Sequence, residues 1–358
     1  MQKNKVLITG SCGTIGSSLV MYFSKNDDYD EVLCLDNNEN QLFFQEQAYL
    51  ENKKIKFLLA DIRDEKRITQ CTKGVDTIFH TAALKHVVMC ERDPIESIQS
   101  NILGVNNIIN ASVENNVKKV IFTSSDKAVN PTNVMGTSKL MGERLITAAN
   151  IINSNSETIF TSTRFGNVLG SAGSVIPIFK NQIKKGGPLT LTDNNMTRFV
   201  MSIEQATDLV VKSADIAKGG EVIITKMPAL KISDLAKVMI SELSPLYGHD
   251  PQSIEIKHIG SKPGEKLYEE LMSEEEVRRS IELKDYFVVL PAFRKMYETV
   301  SYSKYDNFLT DKVTNTYNSQ TQSLLSQKAI RDFLLDFNLL IEKSKNEYSS
   351  RYWPGDKA

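Results

Sequence analysis

Short, nearly uninterrupted apolar runs alternate with longer amphipathic stretches through the first half of the chain. Val6-Leu7-Ile8, Val32-Leu33-Cys34-Leu35, Ile55 to Leu59, Thr77-Ile78-Phe79 and Val120-Ile121-Phe122 read as buried strands. Between them the spacing predicts helices over 14–25, 38–50, 93–116 and 134–152. Strands alternating with helices define βαβ units, and continuous rather than alternating apolar strands fit a parallel sheet covered on both faces. The expected fold class is therefore α/β, a Rossmann-type doubly wound parallel sheet.

After residue 165 the rhythm is less regular. Pro177, Gly186-Gly187-Pro188, Pro228 and Pro263-Gly264 punctuate shorter elements, with helices expected at 203–217 and 232–243. This pattern predicts a smaller, intercalated C-terminal region covering a cleft at the carboxyl ends of the strands. Residues 301–330 are rich in Ser, Thr, Asn and Gln and read as a loosely packed arm. Apolar periodicity returns over 327–342 through Ile330, Phe333, Leu334, Phe337 and Leu340, which predicts a closing helix.

Composition narrows the classes without naming one. The 358 residues amount to about two domains at roughly 150 residues each. Lys and Arg total 43 against 44 Asp and Glu, so the chain lacks the basic excess of a nucleic-acid binder. No apolar run approaches the ~18 residues of a membrane-spanning helix. The opening Val6-Leu7-Ile8 run is too short for the ~7–15-residue core of a signal peptide. Cys12, Cys34, Cys71 and Cys90 form no C-x-x-C pair, so buried free thiols in a reducing, cytoplasmic setting are expected. Four histidines without metal spacing give no zinc site.

Chemistry enters with Gly10-Ser-Cys-Gly13-Thr14-Ile15-Gly16, set between the first strand and the first helix. Glycines there permit a tight turn and let backbone approach a diphosphate at a helix N-terminus. A glycine-rich turn alone can be no more than a turn. Here the second strand also ends in Asp36, an acid suited to the adenosine ribose hydroxyls and repulsive to a 2′-phosphate, so NAD is the expected cofactor. Asp61 and Ile62, after the third strand, stand where an adenine contact is needed. The expected organisation is 1–165 mainly NAD-binding, 166–300 mainly substrate-binding with interleaved elements, and 301–358 an arm and helix.

A second constellation runs from Thr123-Ser124-Ser125-Asp126-Lys127 to Met135-Gly-Thr-Ser-Lys139. Its first part follows a buried strand and projects polar groups over the crevice. Lys139 lies one helical turn after Met135, so both face one side, and a nicotinamide-ribose role is expected for the lysine. Adjacent residues on an extended segment point apart, so Asp126 and Lys127 are expected not to pair, and burial would favour a protonated Asp126 and a neutral Lys127.

The segments HTAALKHV (80–87), SSDKAVNPTNVMGTSK (124–139), TRFGNVLGSAGSVIPIF (163–179), LTDNNMTRFVM (191–201) and PGEKLYEEL (263–271) carry a family likeness. The chain resembles the extended short-chain dehydrogenase/reductase superfamily, and within it the bacterial UDP-N-acetylglucosamine 4,6-dehydratases, over roughly residues 5–290. That resemblance implies an internal redox cycle: oxidation at C4 by NAD, loss of the C5 proton and the C6 hydroxyl as water, then return of hydride to C6. It implies Asp126 as the acid at C6, Lys127 as the base at C5, Ser125 as a retained hydroxyl where the family usually has Thr, and Ala82 beside the cofactor. Met135 departs from the superfamily's usual Tyr and cannot take a proton, so Lys127, directly or through water, is the expected acceptor of the C4 hydroxyl proton.

For the UDP-sugar, the expected contacts are Lys85, His86, Asn167, Ser174, Val175, Arg198 as a fork on a phosphate, Lys262 and Glu265. The leading reading is a lyase, a C5-retaining UDP-N-acetylglucosamine 4,6-dehydratase acting as a homo-oligomer. The alternatives are the C5-inverting dehydratase, a nucleotide-sugar 4-epimerase, and a catalytically silent NAD-binding protein.

Overall fold

In the computed structural model the described residues are 4–152, 156–260, 264–293, 302 and 305–341. The five expected strands form β1 (Lys5–Thr9), β2 (Glu31–Asp36), β3 (Ile55–Leu59), β4 (Thr77–His80) and β5 (Lys119–Thr123), followed by β6 (Ile159–Arg164). They pair in parallel in the order β3-β2-β1-β4-β5-β6, the doubly wound order whose direction reverses between β1 and β4. The central residues of β1, β2, β4, β5 and β6 are buried, as the uninterrupted apolar runs require, whereas β3, expected to be buried, lies at the sheet edge with Lys56 and Leu59 exposed.

The connecting helices are α1 (Thr14–Ser24), α2 (Glu39–Ala48), α3 (Glu65–Cys71), α4 (Val87–Arg92), α5 (Pro94–Ile98), α6 (Gly104–Glu114) and α7 (Val134–Ile152). The single helix expected over 93–116 is broken. Pro94 starts α5, and a π-helical turn over Gln99–Leu103 separates α5 from α6. That turn buries Asn101, whose side chain accepts from the Leu84 N–H (2.8 Å) and donates to the Leu84 carbonyl (2.9 Å) and Ser138 Oγ (2.9 Å). The irregularity thus ties the loop after β4 to α7.

The second half supplies β7 (Asn167–Val168), α8 (Val175–Lys184), β8 (Leu189–Leu191), β9 (Thr197–Met201), α9 (Ile203–Ile216), β10 (Val222–Thr225), β11 (Ala229–Lys231), α10 (Ile232–Leu243) and β12 (Ile256–His258). It ends with β13 (Glu270–Met272), α11 (Glu274–Val277), β14 (Ser280–Leu283), β15 (Tyr286–Val289), β16 (Phe308–Thr310), β17 (Tyr317–Asn318) and α12 (Gln327–Asp336). β10 joins β6 in parallel, and β15, β14 and β16 add antiparallel, completing a ten-stranded sheet. The architecture is the expected Rossmann-type α/β fold. A separate apolar core gathers α8, α10 and α12 around Phe179, Leu235, Met239 and Leu334.

Most of 306–315 is exposed, as in the expected loose arm, but Tyr317, Asn318 and Ser319 are buried. Their polar side chains are used internally: the Tyr317 hydroxyl accepts from the Met227 N–H (2.8 Å) and donates to its carbonyl (3.0 Å), while Ser319 is fully buried. Tyr317 also packs on Phe199 and Phe287. The closing helix stops at Asp336, short of residue 342, because Asn338 adopts φ +53°, a left-handed helix-ending conformation.

One buried ion cluster joins the two halves. Arg164, at the end of β6, donates through Nε and Nη2 to Glu143 of α7 (2.7 and 2.6 Å), and through Nη1 and Nη2 to Glu276 of α11 (2.9 and 2.8 Å). Burial opposes the Glu276 charge, but Arg164 outweighs it and draws the carboxyl down to about 2. Because that folded value lies below the ordinary one near 4.5, the stabilisation is present above pH ~4.5 and lost as pH falls towards 2. Urea unfolding should show this loss for the native chain. Arg164→Met, which strands two buried carboxylates, should cost about 3–5 kcal/mol at neutral pH and flatten or reverse the acid dependence.

Candidate functional site

The glycine-rich loop is dictated by backbone approach. Gly10 has φ +70°, and a Cβ there would lie 2.7 Å from the Ala82 backbone; a Cβ on Gly16 would lie 2.0 Å from the Gly10 carbonyl oxygen. No side chain caps α1 at Gly13, so its first N–H groups remain available to an anion. Thr14 Oγ1 accepts from the Ala172 N–H (3.3 Å), bringing the 170–174 loop over the same turn. At the tip of β2, the Asp36 carboxylate accepts from the Cys12 and Asn38 N–H groups, both at 2.9 Å.

These groups line a cavity of about 660 Å³ at the carboxyl ends of the strands. Gly10, Gly13, Thr14, Ile15, Gly16 and Asp36 form one end, with Asp61, Ile62 and Ala82 beside them. Ser125, Asp126, Lys127, Met135 and Lys139 form the other end, joined by Lys85, His86, Asn167 and Ser174. Asp61 is engaged by the Arg63 guanidinium, with Oδ2 2.7 Å from Nη2. Lys85 Nζ donates to the Ala172 carbonyl (2.8 Å). Cys34, Cys71 and Cys90 are buried, whereas Cys12 is half-buried and faces the cavity.

Lys139 is buried and donates to the Thr123 carbonyl (2.9 Å), with its ammonium over the Phe122 ring. Burial lowers its pKa to about 8, against the opposing pull of Glu143. His80, also buried, is driven down to about 3 by burial and then by the Lys139 charge, so it stays neutral and bonds Thr9 Oγ1 through Nδ1 at 2.7 Å.

Asp126 and Lys127 contradict their expected separation. They sit on a 3₁₀ turn (Asp126–Ala128), not an extended segment, and Lys127 Nζ lies 3.1 Å from Asp126 Oδ1. The expected neutral lysine is overturned as well. Burial opposes the ammonium, but the carboxylates of Asp126 and Glu269 outweigh burial and hold the pKa above that of an ordinary lysine. Ser125 Oγ, 2.5 Å from Asp126 Oδ1, completes the turn.

A second cavity, of about 420 Å³, shares His86, Lys127 and Asn167 with the first and adds Arg198, Glu265 and Glu269. The expected phosphate fork at Arg198 is not open: Nη1 and Nη2 donate to the Thr197, Lys266 and Leu267 carbonyls, and Nε faces Glu269 at 3.6 Å. Val175 turns away and packs against the α8/α10 core. Lys262 lies outside the described residues. Sequence reasoning passed over Glu269, whose signal was only its place in the 263–271 segment, and Asn101, hidden in an expected helix.

Several buried polar atoms around the two cavities have no partner among the described residues: Asn167 Oδ1, Ser174 Oγ, Asp126 Oδ2, Glu269 Oε2 and Ser124 Oγ. Unpaired buried polar atoms are costly, and their convergence on one cleft fits polar ligands. With the open α1 N-terminus and the close-packed glycines, the long cavity suits a dinucleotide. Among the described residues, no group of His, Cys, Asp or Glu is arranged to hold a metal ion, and no helix is long and apolar enough to cross a membrane.

A doubly wound sheet with a glycine cradle and an acid–lysine pair at the carboxyl ends of its strands is a Rossmann-type architecture, the fold it shares with DesIV, a dTDP-glucose 4,6-dehydratase from Streptomyces venezuelae (21% identity, TM-score 0.65, covering 74% of this chain and 86% of that one). More narrowly, the chain belongs to the polysaccharide biosynthesis protein family, whose pattern matches residues 6–291. It is similar to Pen from Bacillus thuringiensis, known from an X-ray structure: 41% identity, TM-score 0.86, covering 95% of this chain and 99% of that one. A Methanocaldococcus jannaschii protein described as an uncharacterized membrane protein is 45% identical over 335 residues, 94% of this chain and 96% of that protein. A Rickettsia felis UDP-glucose 4-epimerase is 38% identical over 346 residues, 95% of this chain and 98% of the epimerase.

Because the Gly16 position admits no side chain, Gly16→Ala should lower the thermal midpoint by several degrees and weaken dinucleotide binding. Thermal unfolding with and without added dinucleotide measures both.

Proposed function

We propose that this chain is a UDP-N-acetylglucosamine 4,6-dehydratase that uses NAD and restores it within each turnover. The observation that carries the reading is the Asp126–Lys127 pair at the junction of the two cavities, with Met135 one turn before Lys139. An acid and a base side by side suit removal of a C5 proton and expulsion of a C6 hydroxyl. A thioether at residue 135 cannot serve as the acid–base group of simple alcohol–ketone interconversion.

In this reading the Gly10–Gly16 loop holds the NAD diphosphate, Asp36 the adenosine ribose, Asp61, Ile62 and Ala82 the adenine end, and Lys139 the nicotinamide ribose. Bound NAD supplies the hydride acceptor for C4 and the hydride returned to C6. Lys85, His86, Asn167, Ser174 and Glu265 face the UDP-sugar.

Lys127 rests as a cation, which argues against it as the first acceptor of the C4 hydroxyl proton. Ser125 passes that proton to Asp126 across their 2.5 Å contact instead. Asp126, now neutral, no longer holds the Lys127 proton; Lys127 releases it to solvent and takes the C5 proton. Asp126 then protonates the departing C6 hydroxyl, and water leaves. Reprotonation of C5 from Lys127, on the face from which it took the proton, gives retention of configuration.

The epimerase reading has one support, the name borne by the Rickettsia relatives. Mass spectrometry separates the two: incubation with UDP-N-acetylglucosamine and NAD should yield a product lighter by one water, whereas an isobaric product would refute the dehydratase. Proton NMR in deuterated water should show deuterium at C5 without inversion. Lys127→Ala should leave the transient NADH absorbance of C4 oxidation and abolish C5 exchange, while Asp126→Asn should slow dehydration roughly 10²–10⁴-fold. Loss of the NADH transient in Lys127→Ala would return the C4 role to the lysine.

A further inference from the structure

Glu269 is buried to 3% exposure, yet it belongs to none of the roles above. Its Oε1 lies 3.4 Å from Lys127 Nζ and 3.6 Å from Arg198 Nε; its Oε2 has no partner among the described residues. The residue is fixed through its main chain by Ser319: the Glu269 N–H donates to Ser319 Oγ (3.0 Å), and its carbonyl accepts from the Ser319 N–H (2.8 Å). Ser319 is itself buried and joined to Thr197, the neighbour of Arg198, by an Oγ–Oγ1 contact of 2.9 Å. A carboxylate costs free energy to bury, and two main-chain hydrogen bonds to Ser319 hold this one against Lys127, which lines both cavities.

We propose that Glu269 is a positioning residue for Lys127: held by Ser319, its carboxylate fixes the Lys127 amine opposite Asp126, where the two cavities meet. The groups facing Lys127 are Asp126 on its own turn, Glu269 from the 264–270 segment and Arg198 from β9; Glu269 additionally faces Lys266. Glu269 offsets the Arg198 cation. Without it, Lys127 would have one anion and one cation as neighbours and would bind its proton more weakly. Burial, then the Asp126 charge, raises the pKa of Glu269 itself. The inference rests on the dehydratase reading for its place in turnover, while the electrostatic link between Glu269 and Lys127 can be measured without substrate.

Competitive acetylation with acetic anhydride across pH, read by mass spectrometry of the peptide containing Lys127, reports the proton affinity of that amine in the intact protein. Glu269→Gln, which keeps shape and removes charge, should weaken proton binding at Lys127 at least tenfold, moving the labelling midpoint down by about one unit or more. The pH profile of kcat should move in the same direction, with KM little changed. Glu269→Asp keeps the charge with a shorter reach; it should move the midpoint less, and serves if the Gln variant is unstable. An unchanged Lys127 midpoint in a folded variant overturns the proposal. A shifted midpoint in a protein that dehydrates no UDP-sugar upholds it and removes the dehydratase reading instead.

Discussion

The Arg164 guanidinium is the fixed point from which the rest of the cleft is hung. It is fully buried at the end of β6 and gripped by carboxylates from α7 and α11, so it joins the helix that carries Met135 and Lys139 to the segment just beyond Glu269. A planar fork with five donors can satisfy two carboxylates and a carbonyl at once, and the Leu271 carbonyl takes the remaining contact. Lysine could not hold both partners in one plane. A buried ion cluster of this kind adds little net stability over an apolar packing of equal volume. Its physical contribution is register: α7 and the 264–277 segment cannot slide past each other without unpairing a charge.

With that register set, charge at the centre of the cleft becomes a matter of neighbours rather than burial. Lys139, buried, and Lys127, partly buried, line the same cavity, yet their proton affinities move in opposite directions. Lys139 faces a carbonyl and an aromatic ring, so desolvation dominates and its charge becomes easier to lose. Lys127 is only partly buried and faces two carboxylates, which outweigh its desolvation. One lysine thus loses its proton more easily than an ordinary lysine, and the other holds it more firmly.

Much of this was legible in the chain because it rests on local pattern. The apolar runs named the first five strands, and Gly10, Gly16 and Asp36 named the cradle, since each reflects a steric or charge demand within one βαβ unit. What was hidden depends on distant pairing. Asn101 sits in a stretch with ordinary helical periodicity, and only the loop after β4 gives its π-helical turn a purpose. Glu269 is one of two successive glutamates, and which of them turns inward depends on β13 pairing with β17. The turn at Asp126 was misjudged for a related reason: Asp126 N–H is captured by the Phe165 carbonyl, a contact between neighbouring strand ends that bends the chain and brings acid and lysine together.

The Ser319 anchor also has a consequence in time. A chain emerging from the ribosome folds from its N-terminus as residues become available. The glycine cradle, Asp36 and the Asp126 turn can be in place once the parallel sheet has formed through β10. Glu269 and Arg198 acquire their shared clamp only when Tyr317 to Ser319 arrive and pair with β13. The residues that clamp Glu269 and Arg198 are thus the last parts of the cleft to be synthesised.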